Sequence, residues 1–188
     1  MSIVIAIKKD DTVYFGADTQ RTAGLSKQNC LCESNFKVTK YKNGVLLAHV
    51  GSVRTSFQLY IQEHLFDGVE KQGLSKEFLV KNVVPEFKRI SKEKSCMDKT
   101  QKTVRSSLIV AYKDKMYKIC SDFGVIDCDM AVVGSGTDHA IPYLVSEKTD
   151  DVNAKMYMAL QSASKFDVAV SAPYIFINTQ NLSYEIVD

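Results

Sequence analysis

The sequence predicts an α+β domain: two antiparallel sheets packed face to face with helices over both outer faces, a four-layer αββα sandwich. Three observations predict it. Strand-like runs arrive as hairpin pairs rather than as βαβ units. Helical patterns also come in pairs, so the chain reads strands, two helices, strands, two helices, strands. The 188 residues are 45% hydrophobic, with no linker, low-complexity segment or compositional boundary. One domain over residues 1–188 therefore has enough apolar material for a substantial core.

The elements follow in order. Ile3–Ile7 and Thr12–Ala17 are short apolar or alternating runs on either side of the charged turn Lys8–Asp11, and predict a β-hairpin. A polar stretch from Asp18 to Ser34, broken at Gly24, reads as irregular. Asn35–Tyr41 and Val45–Val50 predict a second hairpin, because Asn43-Gly44 between them tolerates positive φ. The period then changes. Val53, Phe57, Tyr60, Ile61, His64 and Leu65 recur at three- and four-residue spacing, as on one face of a helix beginning near Ser52. Such a face could serve the core or a subunit contact. Ser75 is a candidate N-cap for a second helix carrying Phe78, Leu79, Val83 and Phe87, with Pro85 as an irregularity. Strands return at Ser106–Tyr112, Met116–Cys120 and Met130–Val133. Helices follow after Gly136 and over Val152–Phe166. Val168–Ser171, Tyr174–Asn178 and Ser183–Val187 predict the closing strands.

Composition excludes several functions. The formal net charge is only +2, and the densest basic stretch, Lys88–Lys102, mixes both signs, so no clustered face for nucleic acid is expected. No apolar run reaches the roughly 20 residues of a membrane span. The opening residues are apolar but lead directly into Lys8-Lys9-Asp10-Asp11, which does not read as a secretory signal, and a cytoplasmic protein is expected. The five cysteines (Cys30, Cys32, Cys96, Cys120, Cys128) form no even framework and read as reduced thiols. Cys30-x-Cys32 lacks a second close pair, and His49, His64 and His139 are scattered, so neither metal nor cofactor is expected. There is no Gly-x-Ser-x-Gly elbow, P-loop, His-Glu-x-x-His helix or dinucleotide fingerprint.

Three features remain that could carry chemistry. Asp18 ends the second strand, Lys37 lies in the run Asn35-Phe36-Lys37-Val38, and Ser2 follows Met1 directly. Spacing alone favours plainer roles, since a strand-end Asp is ordinarily a turn or cap residue and a strand Lys points to solvent.

The stretch Ser2–Gly24 (SIVIAIKKDDTVYFGADTQRTAG) resembles the start of a mature proteasome β-subunit and of its bacterial relative that works with an ATP-driven unfoldase. In that family an N-terminal Thr is followed sixteen positions later by an Asp, the separation of Ser2 and Asp18 here. Lys37-Val38 resembles the family's catalytic Lys and its aliphatic neighbour. Val50-Gly51-Ser52 resembles the strand end that enters the first helix, Gly134-Ser135-Gly136 the family's GSG turn, and Phe166–Ser171 its supporting Asp/Ser segment. The motifs keep their order over nearly the whole chain. The chain departs from the pattern in carrying Ser at the nucleophile position, in having only Met1 before it, and in a slightly longer loop between Asp18 and Lys37. Gln20 replaces an Arg, Ser52 replaces a Gly, and Asp167 and Ser171 are spaced one residue wider.

The resemblance implies an N-terminal-nucleophile (Ntn) hydrolase fold and a threonine/serine-type peptidase cleaving unfolded polypeptides. It implies Ser2 as nucleophile once Met1 is removed, Lys37 and Asp18 as its electrostatic partners, and Gly51 as oxyanion donor. Ser135, Asp167 and Ser171 would orient the amine, while Arg21, Thr22, His49 and Val53 would border the substrate. It further implies a homo-oligomeric ring, an ATP-dependent unfoldase partner, and no nucleic acid, membrane, metal or cofactor. Taken as a lone residue, His49 also reads as a satisfied core histidine. A non-catalytic ring scaffold, an Ntn amidohydrolase or transpeptidase, and a binding module using its sheet edge are the alternative readings. A scaffold would have no need of Asp18 and Lys37, yet both are present.

Overall fold

The computed structural model describes residues 2–23, 26–93, 97–98, 103–104 and 106–188. Met1, Gly24 and Cys96, each singled out in the sequence, and part of the Lys88–Lys102 stretch lie outside the described residues. In chain order the elements are β1 (Ile3–Lys9), β2 (Thr12–Asp18), β3 (Gln20–Ala23), β4 (Ser26–Asn29), β5 (Val38–Lys40) and β6 (Leu46–Val50). Helices α1 (Val53–Tyr60), α2 (Val69–Gln72) and α3 (Lys76–Phe78) follow, then a π-helical turn at Leu79–Val83 and α4 (Val84–Glu93). After these come β7 (Met97–Asp98), β8 (Thr103–Val104), β9 (Ser107–Tyr112), β10 (Lys115–Ile119), β11 (Val125–Asp127) and β12 (Met130–Gly134). The chain closes with α5 (Thr137–Ser146), α6 (Val152–Phe166), β13 (Tyr174–Asn178) and β14 (Glu185–Val187).

Two five-stranded sheets dominate, in the orders β12-β1-β2-β13-β14 and β11-β10-β9-β6-β5. Every strand pair in them is antiparallel. Central strands are apolar on both faces, which explains why they read as continuous runs instead of alternating ones. In β1, Val4 and Ala6 join a cluster with Phe15, Leu46, Ala48, Ile109 and Ile175, drawn from both sheets. Ile3 and Ile5, one position over, join Tyr174 and Phe176 against Leu144, Met156 and Leu160 of α5 and α6. In β9 the same alternation sends Leu108 and Val110 toward Leu59, Phe78, Leu79, Val83 and Phe87. Truncating a large member of these clusters to Ala would cost about 2–5 kcal/mol. No helix among the described residues is long and apolar enough to cross a membrane.

The predicted turn at Lys42-Asn43-Gly44 is present: Gly44 takes φ +82° and donates to the Tyr41 carbonyl at 3.0 Å. Ser75 caps α3 by accepting the Phe78 N–H at 3.1 Å. Pro85 is accommodated as the second residue of α4, directly after the π-helical turn.

Four expectations need correction. The stretch expected to be irregular contains the β3–β4 hairpin, whose runs Gln20-Arg21-Thr22 and Ser26–Asn29 are polar throughout and give no hydrophobic period. Asn35–Tyr41 is strand only at Val38–Lys40, because Glu33–Asn35 forms a 3₁₀ turn. Val168–Ser171 is not a strand: α6 runs to Phe166, and the chain turns as Val170 N–H donates to the Asp167 carbonyl at 3.0 Å. Helix α1 stops at Tyr60, and its apolar stripe faces outward. Val53 and Phe57 are each 55% exposed, while Thr55 and Leu59 face the core.

Candidate active site

The opening hairpin builds the first part of the site. Pairing of Val4 with Ala17 continues to the strand ends, bringing the Asp18 carboxylate beside the start of β1. Asp18 Oδ1 accepts the Ile3 N–H at 2.8 Å and lies 3.5 Å from the Ser2 hydroxyl. Lys37 reaches the same oxygen from the segment before β5, with Nζ 2.6 Å away. Its backbone is held there by the His49 N–H, which donates to the Lys37 carbonyl at 2.8 Å. The ammonium also donates to the Asp18 carbonyl at 2.8 Å and the Gln20 carbonyl at 2.7 Å. All three of its protons thus have acceptors.

Lys37 is 7% exposed and Asp18 1%, so the plain reading of Lys37 as a solvent-facing strand residue does not hold. Burial pushes the Asp18 carboxyl above its ordinary range, opposed by the neighbouring ammonium. Burial likewise pulls Lys37 below its ordinary value, opposed by Asp18 and reinforced by the positive charge of Arg21.

The β12–α5 turn supplies the second part. Ser2 N–H donates to Ser135 Oγ at 3.0 Å, and the Ser135 hydroxyl lies 3.4 Å from the Ser2 carbonyl. This closeness depends on Gly134. It adopts φ +115°, and a Cβ there would fall 2.0 Å from the Ser2 carbonyl oxygen. Gly51, at the end of β6, has φ +135° and borders two cavities that meet at Ser2. The larger, of about 280 Å³, is walled by Ser106, Ser107, Gly134 and Ser135.

The other cavity is bordered by Arg21, Thr22, His49 and Val53, the residues predicted to meet substrate. His49 is 5% exposed. Burial first, and the Arg21 charge second, lower its pKa to about 3, so the imidazole is neutral at physiological pH. It is not a satisfied core histidine, since its Nε2 has no partner among the described residues. Arg21 Nη2 donates to the Asn35 carbonyl at 2.6 Å, while its buried Nε also lacks a partner among the described residues.

The fold thus gathers Ser2, Asp18, Lys37, Gly51 and Ser135 with Arg21, Thr22, His49 and Val53. It does not bring Asp167 or Ser171 into a hydrogen bond with Ser2. Asp167 caps the end of α6 and accepts the Ala169 N–H at 2.9 Å, while the Ser171 hydroxyl lies 3.4 Å from Asn29 Oδ1. Gln20 was missed as a functional residue and noted only as a departure. It is 2% exposed, and its amide donates to Thr22 Oγ1 at 2.9 Å and to the Val168 carbonyl at 3.0 Å. It thereby ties the substrate wall to the loop after α6. Its place between Asp18 and the pocket residues was the available signal. Ser106, at the cavity on the far side of Ser2, carried no signal in the sequence.

No family model matches the sequence, and no curated protein matches it. Solved structures do. The fold superposes on BPH from Thiobacillus denitrificans with a TM-score of 0.73 and 17% identity, covering 96% of this chain and 98% of that one. The same protein in complex with epoxomicin gives 0.70 and 15%, covering 96% and 99%. Eukaryotic HslV from Trypanosoma brucei gives 0.66 and 19%, covering 94% and 98%. A Gly-1 mutant of Anbu from Hyphomicrobium sp. strain MC1 gives 0.77 and 12%, covering 100% of this chain and 87% of that one. The chain has the fold of these proteasome-like N-terminal-nucleophile peptidases.

Proposed function

We propose that the chain is a peptidase of the proteasome-like type, with Ser2 as nucleophile after removal of Met1. The observation that carries this reading is the buried Asp18–Lys37 pair, with every ammonium proton accepted, against the Ser2 hydroxyl. A serine hydroxyl is a poor nucleophile until a base takes its proton. The α-amine of a freed Ser2 is such a base, with an ordinary pKa of about 7.7–8.0. Any residue ahead of Ser2 turns that amine into an amide, which cannot accept the proton.

In this scheme the Lys37 ammonium stabilises the developing alkoxide, and Asp18 holds Lys37 in place. Ser2 Oγ attacks the substrate carbonyl, and the Gly51 N–H receives the oxyanion, a contribution of about 3 kcal/mol for one such donor. The amine then passes its proton to the leaving nitrogen, and water hydrolyses the ester. Ser135 orients the amine. Asp167 and Ser171 act at one remove, through the loop that Gln20 ties to the pocket. An extended peptide would lie along the edge of β3 not taken by β4, held by main-chain hydrogen bonds that are indifferent to sequence.

The three apolar clusters, one between the sheets and one on each outer face, support the four-layer αββα arrangement of the Ntn hydrolase fold. The outward stripe of Val53, Phe57, Tyr60 and Ile61 suits burial against another copy in a homo-oligomeric ring. A cytoplasmic ring served by an ATP-dependent unfoldase, acting on unfolded polypeptides, completes the proposal.

The test is intact mass and N-terminal sequence of untagged protein, before and after a peptide epoxyketone such as epoxomicin, the ligand of one structural neighbour. Loss of Met1 with one covalent adduct on Ser2 is expected. Retained Met1, or a free Ser2 that never reacts, would transfer support to the scaffold reading. A Lys37→Ala protein with full peptidase activity would remove Lys37 from the mechanism.

A further inference from the structure

Two of the three acceptors of the Lys37 ammonium are backbone carbonyls. They belong to Asp18 at 2.8 Å and Gln20 at 2.7 Å, the residues on either side of Thr19. A carbonyl cannot turn independently of its peptide plane, so whatever fastens residues 18–20 also decides where the ammonium finds its acceptors. The fastening comes from the loop between α6 and β13. The Pro173 carbonyl accepts both the N–H and the hydroxyl of Thr19, at 3.2 and 2.8 Å. The Val168 carbonyl accepts the Gln20 side-chain amide at 3.0 Å, and that amide also donates to Thr22 Oγ1 at 2.9 Å. At the exposed end, Asn29 Nδ2 donates to the Ala172 carbonyl at 2.9 Å. Asp167 braces the loop in turn, its carboxylate accepting the Ala169 N–H at 2.9 Å and its carbonyl the Val170 N–H at 3.0 Å. Asp18, Thr19 and Gln20 are 1%, 4% and 2% exposed. A strand end serving packing alone would be apolar here and would avoid desolvating three polar side chains in succession.

We infer that Thr19 and Gln20 are positioning residues: their side chains fasten the junction of β2 and β3 to residues 167–173, and that seam fixes the two carbonyls that hold the Lys37 ammonium beside Asp18. Neither side chain forms a hydrogen bond with Ser2 among the described residues, so both act through Lys37. Removing either donor leaves a loop carbonyl unmatched and frees the strand to shift, which withdraws an acceptor from the ammonium. The effect on turnover rests on the peptidase reading, whereas the effect on Lys37 does not, and the test separates the two.

Protein shown by mass to lack Met1 is treated with formaldehyde and cyanoborohydride, and methylation of each lysine is followed by peptide mass. Lys37 should react at least about tenfold more slowly than the exposed Lys42 and Lys81; equal reactivity overturns the inference on the unchanged protein. Thr19→Val and Gln20→Met keep the side-chain volume and lose the donor. Each should speed Lys37 labelling at least about fivefold and lower kcat for a fluorogenic peptide about tenfold. KM should stay within about twofold for Thr19→Val and rise for Gln20→Met, which also frees Thr22. Thr19→Ser, which keeps the hydroxyl, should return labelling and kcat to within about twofold of the unchanged protein. Asn29→Ala, at the exposed end of the seam, should speed labelling by a smaller factor and keeps the test decisive should a buried variant fail to fold. Unchanged labelling in the variants overturns the inference even where kcat falls, as does faster labelling with undiminished kcat. Faster labelling together with no turnover by the unchanged protein would uphold the seam and sink the peptidase reading.

Discussion

Two groups of buried polar side chains meet at Ser2, and their hydrogen-bond donors are finished to different degrees. The group made by Asp18, Lys37 and Ser135 draws on the end of β2, the segment before β5 and the turn after β12, and so joins the two sheets. Every proton of Lys37 finds an acceptor and Ser2 N–H has Ser135, so that among the described residues only an acceptor, Asp18 Oδ2, is left without a partner. The group made by Arg21 and His49 sits where the β3–β4 hairpin faces the end of β6, and leaves Arg21 Nε and His49 Nε2 without protein partners. Burial alone does not separate the two, since Lys37 and His49 are 7% and 5% exposed. The difference lies in the donors. A group whose donors are all matched keeps its geometry without a ligand, which suits atoms that must be in place before reaction. An incompletely bonded group carries a standing cost that a ligand can relieve.

Breaking the finished group should have the largest effect. Lys37→Met leaves the Asp18 carboxylate buried without its cation, and a loss of about 3–5 kcal/mol in urea unfolding is expected. Asp18→Asn strands the ammonium and should cost a similar amount. The Asp18→Asn/Lys37→Met double variant should lose clearly less than the sum of the two, yet remain without peptidase activity. Additive losses would mean that the pair contributes no coupling and that the comparison between the two groups is misdrawn.

How much of this could be read from sequence follows the same division. The opening hairpin, the Asn43-Gly44 turn and the Ser75 cap were legible because each depends on local chemistry. Continuous runs such as Ile3–Ala6 and Leu108–Ala111 were legible as strands because burial on both faces removes the polar alternation. The β3–β4 hairpin was not legible, since it is polar throughout and gains its place from tertiary contacts such as that of Gln20 with Val168. Helix α1 shows a subtler limit. Its apolar period was visible, but periodicity left open whether that face meets the core or a neighbouring subunit, and here Thr55 and Leu59 meet the core. At the site, motif order singled out Ser2, Asp18 and Lys37, and the structure places the three side by side. Val168–Ser171 was misread as a strand because four residues of mixed polarity fit a turn equally well.

The unfinished group should reveal itself in acid. His49 has a folded pKa of about 3 against an ordinary value near 6.5, so the unfolded chain takes up a proton that the folded chain refuses. Its contribution is fully present above pH 6.5 and is lost as pH falls toward 3. At pH 4 the loss is about 3 kcal/mol. Urea unfolding at pH 7 and pH 4 should show this difference, and His49→Leu should remove that part of the pH dependence. An unchanged pH dependence in the variant would mean that His49 titrates alike in the folded and unfolded chain, and that burial does not hold it neutral.

The smallest expected effect is the most discriminating for mechanism. Ser135 has one interaction of consequence, its hydroxyl standing 3.0 Å from Ser2 N and 3.4 Å from the Ser2 carbonyl. Ser135→Ala removes no charge and leaves Gly134, which sets the approach of β12 to Ser2, untouched. A single hydrogen bond contributes about 0.5–1.5 kcal/mol, so stability should hardly change. If that bond orients the Ser2 amine for proton transfer, kcat should fall about tenfold with KM unchanged, since no substrate contact is lost. The acidic limb of the kcat–pH profile, which reports titration of the amine, should shift as well. A variant with normal kcat and an unmoved profile would make Ser135 a purely structural fastening of the chain start. The general base would then depend on Lys37 and Asp18 alone for its environment.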